Sequence, residues 1–154
     1  MSLATTITRI LTCVRAVSGV DSSTVFETPR TATVRSTAEA LRNVAAGESI
    51  QSWEFSFTPV PKARGIDGYR ETELEVEFVA HWKHADGEAT SLPDFRAILD
   101  AVCTALLDPA TGCPQVKDEG VQVVEAPGLP VRLPTGQSAL RARYRFALWD
   151  TSST

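Results

Sequence analysis

Apolar residues recur at helical spacing in two long stretches of the chain. Between residues 3 and 18 they fall every three or four positions and Gly19 follows, so the pattern predicts an amphipathic helix over 3–18. A second helix is predicted to begin at Ser91 and to end near Asp108, with a continuous apolar stripe. A shorter helix is predicted from Ser36, because Ser-Thr-Ala-Glu forms a capping box.

Elsewhere the apolar residues fall at every second position, which is typical of strands with one apolar face. The predicted strands are 50–58, 71–82, 121–125 and 140–149, with a short extended piece at 23–26. We expect Pro59 and Pro61 to end the first long strand. The stretch from Pro61 to Arg70 holds two glycines and three basic groups, which predicts a mobile loop between two antiparallel strands.

The order of these elements predicts an α+β fold. Runs of strands favour a mainly antiparallel sheet with the two main helices packed on one face, plus a protruding long hairpin loop. The chain has 154 residues, of which 43% are hydrophobic and 22% charged, and it shows no internal repeat. A chain of this length buries about 70% of its unfolded surface, so it can form a core without metal or disulfides. We expect a single domain over residues 1–154.

Charge is distributed unevenly along the sequence. The net charge of -4 argues against a dedicated nucleic-acid-binding domain. Residues 66–125 carry thirteen acidic and four basic side chains, whereas residues 1–42 and 138–154 each have a small basic excess. This division suits contacts between copies, or a surface that does not retain nucleic acid, and it is also compatible with an ordinary solvated surface.

Two predicted strands carry charged side chains of one sign at alternate positions. They are the Glu row, Glu71, Glu73, Glu75 and Glu77, and the Arg row, Arg141, Arg143 and Arg145. Side chains two residues apart share a face of a sheet, and four adjacent carboxylates repel one another. The rows can pair within one chain if the strands are neighbours, or between copies if they are not, and a third interpretation places the Glu row along a channel.

Few residues suggest catalysis or metal binding. The three cysteines lack Cys-x-x-Cys spacing and are predicted to be reduced packing residues. His81 and His84 are three residues apart, and on a strand such positions face opposite ways, so they are not expected to share a metal. Asp118 and Glu119 fall beside a glycine and are predicted to lie in a solvated turn. The chain shows no nucleotide-binding, hydrolase or metalloprotease motif, and we expect neither enzymatic activity nor a cofactor.

The sequence also bears on the location of the protein. No apolar run approaches the roughly 20 residues that span a bilayer. Arg9 and Arg15 interrupt the apolar pattern of the first 19 residues, where a signal peptide has an uninterrupted apolar segment. We therefore expect a cytosolic protein with no membrane partner.

The whole arrangement resembles the tail terminator proteins of long-tailed bacteriophages, also called tail completion or head-to-tail joining proteins. The resemblance rests on the opening helix L-A-T-T-I-T-R-I-L-T-C-V, the strand pair S-W-E-F-S-F-T-P-V and E-L-E-V-E-F-V-A-H-W, the helix D-F-R-A-I-L-D-A-V-C-T-A-L-L and the closing strand L-R-A-R-Y-R-F-A-L-W. It spans nearly the whole chain and is a match of order and pattern. The proline-rich stretch 127–134 departs from the pattern.

This resemblance implies a structural virion protein. Six copies would form a ring that caps the tail tube, stops its polymerisation and joins the neck or head-completion protein, while DNA passes through the hole without specific binding. The protein would belong to the virion tail and be assembled in the host cytoplasm. The Glu and Arg rows would lie at the subunit interface or lumen. The predicted loop would contact the tube through Lys62, Arg64, Ile66, Asp67, Tyr69 and Arg70.

Two other interpretations stay open at the level of sequence. The first is a related adaptor, such as a head-completion neck protein or the terminator of a contractile injection system. The second is an α+β domain that binds a small molecule, which would be monomeric or dimeric and would contain an apolar pocket with converging polar groups.

Overall fold

A computed structural model describes residues 3–28, 51–63, 70–83, 91–108, 110, 116, 120–128, 131–132 and 138–150. The helices are α1 (Leu3–Arg15) and α2 (Ser91–Leu107), and a short 3₁₀ turn spans Ser22–Thr24. The strands are β1 (Val25–Phe26), β2 (Gln51–Ala63), β3 (Arg70–Lys83), β4 (Gln122–Glu125), β5 (Val131–Arg132) and β6 (Ser138–Asp150).

The described strands form one mainly antiparallel sheet in the order β1-β2-β3-β6-β4, and β5 also pairs with β6. The pairing of β1 with β2 is parallel, and the others are antiparallel. Both helices contribute to the apolar core on one face of this sheet. The predicted α+β fold, with two main helices against one face of a mainly antiparallel sheet, is therefore confirmed.

The core forms where the apolar stripes of the helices meet the apolar face of the sheet. Phe78 of β3 is fully buried, and its ring centroid lies 5.2 Å from those of both Phe55 and Tyr144 on the neighbouring strands. Trp82 stacks on Phe95 of α2 at 5.8 Å. The period of two in the strands and the helical spacing of α1 and α2 therefore bury their apolar residues against one another.

The N-terminal helix ends three residues earlier than the sequence pattern predicts. The amide of Val17 donates to the carbonyl of Val14, so the chain tightens after Arg15 instead of continuing the helix. Gly19 then adopts a φ of 92°, and an added Cβ would lie 3.1 Å from Ile98 Cδ1. A side chain at this position would therefore meet both backbone strain and the α2 packing.

A buried glutamine connects this turn to the sheet. Gln51 accepts hydrogen bonds from the amide of Asp21 at 3.1 Å and from Trp53 Nε1 at 2.9 Å, and it donates to the carbonyl of Gly19 at 3.2 Å. The side chain is only 5% exposed, so these contacts satisfy polar groups that water does not reach.

The prediction that Pro59 and Pro61 end the first long strand, which is β2, is wrong. β2 continues through both prolines to Ala63, and its pairing with β3 runs from Gln51 and Trp82 to Ala63 and Arg70. Two prolines two residues apart direct their nitrogens to the same side of a strand. Among the described strands only β1 adjoins the outer edge of β2, at Trp53 and Glu54, so both prolines can lie along an unpaired edge where no amide hydrogen is needed.

Residues at both ends of the predicted hairpin loop belong to strands. Lys62 lies in β2 opposite Glu71, and Arg70 begins β3 opposite Ala63. The remaining residues of the predicted loop, 64–69, fall outside the described residues, as does the predicted helix that begins at Ser36. The last strand is longer than predicted at both ends, because it runs from Ser138 to Asp150. β5 falls within the proline-rich stretch, where the sequence pattern predicted no strand.

Candidate interaction surface

The face of the sheet opposite the described helices carries most of the polar residues predicted to face outward. The register of β2, β3 and β6 arranges them in successive cross-strand rows. These rows are Ser52–His81–Arg141, Glu54–Val79–Arg143, Ser56–Glu77–Arg145, Thr58–Glu75–Ala147 and Val60–Glu73–Trp149. We call this surface the polar face.

The Glu and Arg rows lie on neighbouring antiparallel strands of the same chain. They are offset along those strands, so only Glu77 and Arg145 stand directly opposite each other. Arg143 reaches diagonally to Glu77, with 3.3 Å between Nε and Oε1, and both side chains are about 40% exposed. The within-chain interpretation therefore applies to this part of the rows, at the modest energy of a half-exposed pair.

The edge strand β4 supplies a second carboxylate, which belongs to neither the Glu row nor the Arg row. Glu125 lies 3.0 Å from Arg141, and Arg141 Nε donates a hydrogen bond to its Oε1. The pairing of β4 with β6 brings these two residues together, although they are 16 positions apart in the chain. The sequence shows that the Arg row has no opposite charge beside it on its own strand. Only the order of strands in the sheet shows that Glu125 is the partner of Arg141.

The side chains of the two rows differ in exposure. Glu73 is buried, whereas Glu75 and Arg145 are exposed, and neither of these two forms an ion pair with a described residue. Both line a cleft of about 280 Å³ formed by residues of β3, β6 and the start of β4. The remaining lining residues are Glu73, Gly120, Gln122, Phe146 and Ala147. Among the described side chains of the Glu and Arg rows, internal pairing thus leaves the carboxylate of Glu75 and the guanidinium of Arg145 available on this surface.

Part of the polar face is buried, which the sequence pattern did not indicate. Ser52, Glu54 and His81 are each no more than 4% exposed, and Ser52 Oγ lies 3.4 Å from Glu54 Oε1. Burial, with Arg141 and Arg143 nearby, lowers the pKa of His81 from 6.5 to about 4, and Glu125 opposes that shift. His81 is therefore neutral at physiological pH and contributes no charge to the surface.

The predicted tube-contact residues are only partly placed by the structure. Lys62 and Arg70 lie in paired strands at the end of the β2–β3 hairpin. Arg64, Ile66, Asp67 and Tyr69 fall outside the described residues, as do Cys113 and His84. Glu71 lies in β3 opposite Lys62.

The described cysteines occupy packing positions. Cys13 is buried and Cys103 half-buried, and neither forms a disulfide with a described residue. Burial, together with the nearby Asp100, raises the pKa of Cys103 to about 11, so its thiol stays protonated and weakly nucleophilic. In the part of the chain that the structure describes, no group of three or more His, Cys, Asp or Glu residues is arranged to hold a metal.

The two edges of the sheet differ in how they are protected. At the β1 edge, the Arg15 side chain donates to the carbonyl of Val25 at 3.1 Å, and Pro59 and Pro61 lie in the adjoining strand β2. At the opposite edge, β4 contains neither proline nor lysine, and its Val123 and Val124 are 58% and 48% exposed. No described strand pairs with the outer side of β4.

Comparison with known proteins places the chain in no family. No family model matches it, and no curated protein matches it closely enough to count as a relative. Within the described residues no helix is both long and apolar enough to cross a bilayer.

Proposed function

We propose that this chain is a structural subunit of a virion tail, of the tail terminator type. Copies assemble into a ring, with six as the expected number, that caps the tail tube, stops its polymerisation and presents a joining surface to the neck. DNA passes through the hole of the ring without specific binding. The protein belongs to the virion tail and acts by contact rather than by catalysis.

The observation that carries this proposal is the unequal use of the two sheet faces. One face is occupied by the apolar core, whereas the polar face presents charged side chains in ordered rows. Two of the described side chains in these rows, Glu75 and Arg145, are exposed and take no part in the internal ion pairs. Charged rows on a rigid sheet suit a surface that must meet other copies in one register. The element order on which the resemblance rests is present in the described fold.

Glu75 and Arg145 are the side chains through which the polar face would join copies. They are exposed, opposite in charge and without an ion-pair partner among the described residues. A carboxylate and a guanidinium on one surface allow each copy to offer both halves of an intersubunit pair. Glu77 and Arg143 are less available because they already contact each other.

Charge reversal tests this assignment directly. We expect Glu75→Lys and Arg145→Glu each to prevent ring formation on purified tail tubes, observed by electron microscopy, and the double variant to restore it. Glu27→Lys and Arg96→Glu are matched controls, because they make the same charge changes at exposed residues outside the polar face. Rings that form normally with both single variants would contradict the assignment.

Shortening the hairpin tests the predicted contact with the tube. Because Ala63 and Arg70 are paired, residues 64–69 can be replaced by Asn-Gly, which closes an antiparallel pair as a tight turn. We expect this variant to fold and to form rings but to lose tube capping, so that tails assembled with it are abnormally long. Tails of normal length would remove the contact role from this segment while leaving the ring proposal standing.

A further inference from the structure

The cleft beside β3, β6 and the start of β4 opens where two small residues lie next to larger polar ones. Ala147 of β6 stands directly opposite Glu75, and Gly120 lies just before β4. A Cβ added to Gly120 would have no described neighbour within 4 Å beyond the adjacent residues, so this side of the cleft is open space. The volume of about 280 Å³ is at the lower end of the roughly 300–1,000 Å³ usual for ligand pockets, so the cleft fits a ligand of few atoms.

Two opposite charges border this cleft without contacting each other. Glu75 stands opposite Ala147 and Arg145 opposite Glu77, so Glu75 and Arg145 are diagonal neighbours on adjacent strands. Glu77 and Arg143 have the same diagonal relation and form an ion pair, whereas Glu75 and Arg145 form none with a described residue. Both are exposed, so a ligand in the cleft can reach both.

The third charged group at the cleft is already in use. Glu73 is 5% exposed and takes part in an interaction of its own. Among the described side chains, the charges open to a ligand are therefore one carboxylate and one guanidinium. A ligand with carboxylates alone would be repelled by Glu75, and a ligand with ammonium groups alone would be repelled by Arg145. The exposed amide of Gln122, opposite Arg145, can donate to or accept from either kind of group.

We propose that the cleft binds a small zwitterion of the α-amino acid class, with its ammonium group at Glu75 and its carboxylate at Arg145. A guanidinium matches a carboxylate in geometry as well as in charge. The inference goes beyond the proposed function and does not rest on it, since one free chain provides the whole cleft. The same two side chains are assigned to the contact between copies, so a bound zwitterion and that contact exclude each other.

Titration of the isotope-labelled full chain with L-alanine, followed by amide NMR in the absence of tail tubes, tests this site. We expect saturable shifts at the amides of residues 73–75, 120–122 and 145–147. The dissociation constant should lie in the millimolar range, because both charges of the cleft are exposed. Propionate and ethylamine each keep one of the two charges of L-alanine and should bind about threefold more weakly.

Neutral substitutions separate the two ends of the ligand. Glu75→Gln should remove the preference for L-alanine over propionate, and Arg145→Gln should remove the preference over ethylamine. Glu27→Gln and Arg96→Gln are matched controls, because they make the same changes at exposed residues outside the cleft, and both should keep the wild-type affinities. Ala147→Leu fills the cleft without changing its charge and should abolish the shifts, with circular dichroism verifying that each variant is folded.

Three results would overturn the proposal. They are the absence of saturable shifts with L-alanine in the wild type, equal affinities for the three probes, and a Glu75→Gln variant that still prefers L-alanine to propionate. Normal binding of L-alanine by a chain that forms no rings on tail tubes would support the cleft and count against the proposed function alone.

Discussion

On the helix side of the sheet, Phe78 lies between Phe55 and Tyr144; on the other side, the next residue of the same strand, Val79, lies between Glu54 and Arg143. The first row belongs to the core that the helices cover, and its three side chains are at most 8% exposed. The second belongs to the polar face, where buried, paired and exposed polar groups occur within a few residues of one another. The strand β3 thus contributes to the apolar core on one side of the sheet and to a charged surface on the other.

The largest effect is expected from the covered face. Phe78→Ala removes a fully buried ring that contacts three aromatic neighbours, and we expect it to lower the free energy of unfolding by about 3–5 kcal/mol, measured by urea denaturation. Val79→Ala, one residue along and only half-buried, is the comparison and should cost much less. Equal losses at the two positions would show that the polar face is packed as densely as the core.

The next effect concerns pH and the buried corner of the polar face. Because the pKa of His81 falls from 6.5 to about 4 on folding, the unfolded chain binds more protons between these values. Above about pH 6.5, His81 is neutral in both states and does not change the free energy of unfolding. As the pH falls from 6.5 towards 4, protonation of His81 in the unfolded chain progressively lowers that free energy. The loss is at most about 3 kcal/mol.

Urea denaturation between pH 4 and pH 7 measures this dependence. We expect His81→Gln to flatten the pH profile, because Gln does not titrate. Ser52→Ala, at the neighbouring buried position of the same row, should keep the slope of the wild type. A His81→Gln profile as steep as that of the wild type would assign the pH dependence to other groups.

A smaller effect is expected from the ion pair in the middle of the polar face. Arg143→Glu places a carboxylate beside Glu77, and since both sites are about 40% exposed we expect a loss of about 1 kcal/mol, reduced in 1 M salt. The protein should stay folded, and adding Glu77→Gln, which removes the carboxylate facing the new one without placing a cation opposite Arg145, should recover part of the loss. A loss that the second substitution does not reduce would mean that Arg143 acts through other contacts.

The smallest effect on stability, and the most specific effect on function, is expected at Glu75. Glu75→Lys changes an exposed side chain, so the free energy of unfolding should shift by no more than about 0.5 kcal/mol. Urea denaturation measures this shift, and a near-zero value together with failure to form rings on tail tubes would show that Glu75 acts between copies rather than in the fold. A large loss of stability would instead mean that Glu75 makes contacts within its own chain.

The periodic parts of the fold were predictable because periodicity is a local property. The alternation in β3 and β6 and the apolar stripe of α2 each identify one buried face without reference to distant residues. The end of β2 was not predictable in this way. Proline argues against a strand in general, and it is tolerated at Pro59 and Pro61 because of which edge of β2 has no neighbour.

For the candidate site, the sequence predicted which charged residues share a strand face but not which of them meet. The alternate charges of the Glu and Arg rows are visible in the sequence, and so is the need of each row for opposite charge. Their offset, the contribution of Glu125 and the burial of His81 depend on the register between strands that are far apart in the chain. A shift of one residue in that register would move each side chain to the other face.

The order of side chains along each strand, and hence the division of the sheet into an apolar and a polar face, follows from the sequence alone, because the period of a strand is set by backbone geometry. Which carboxylate meets which arginine, which edge is protected and which edge is left open were decided by the tertiary structure. These outcomes depend on which strands become neighbours, and that choice is made by the burial of the whole core rather than by any local segment.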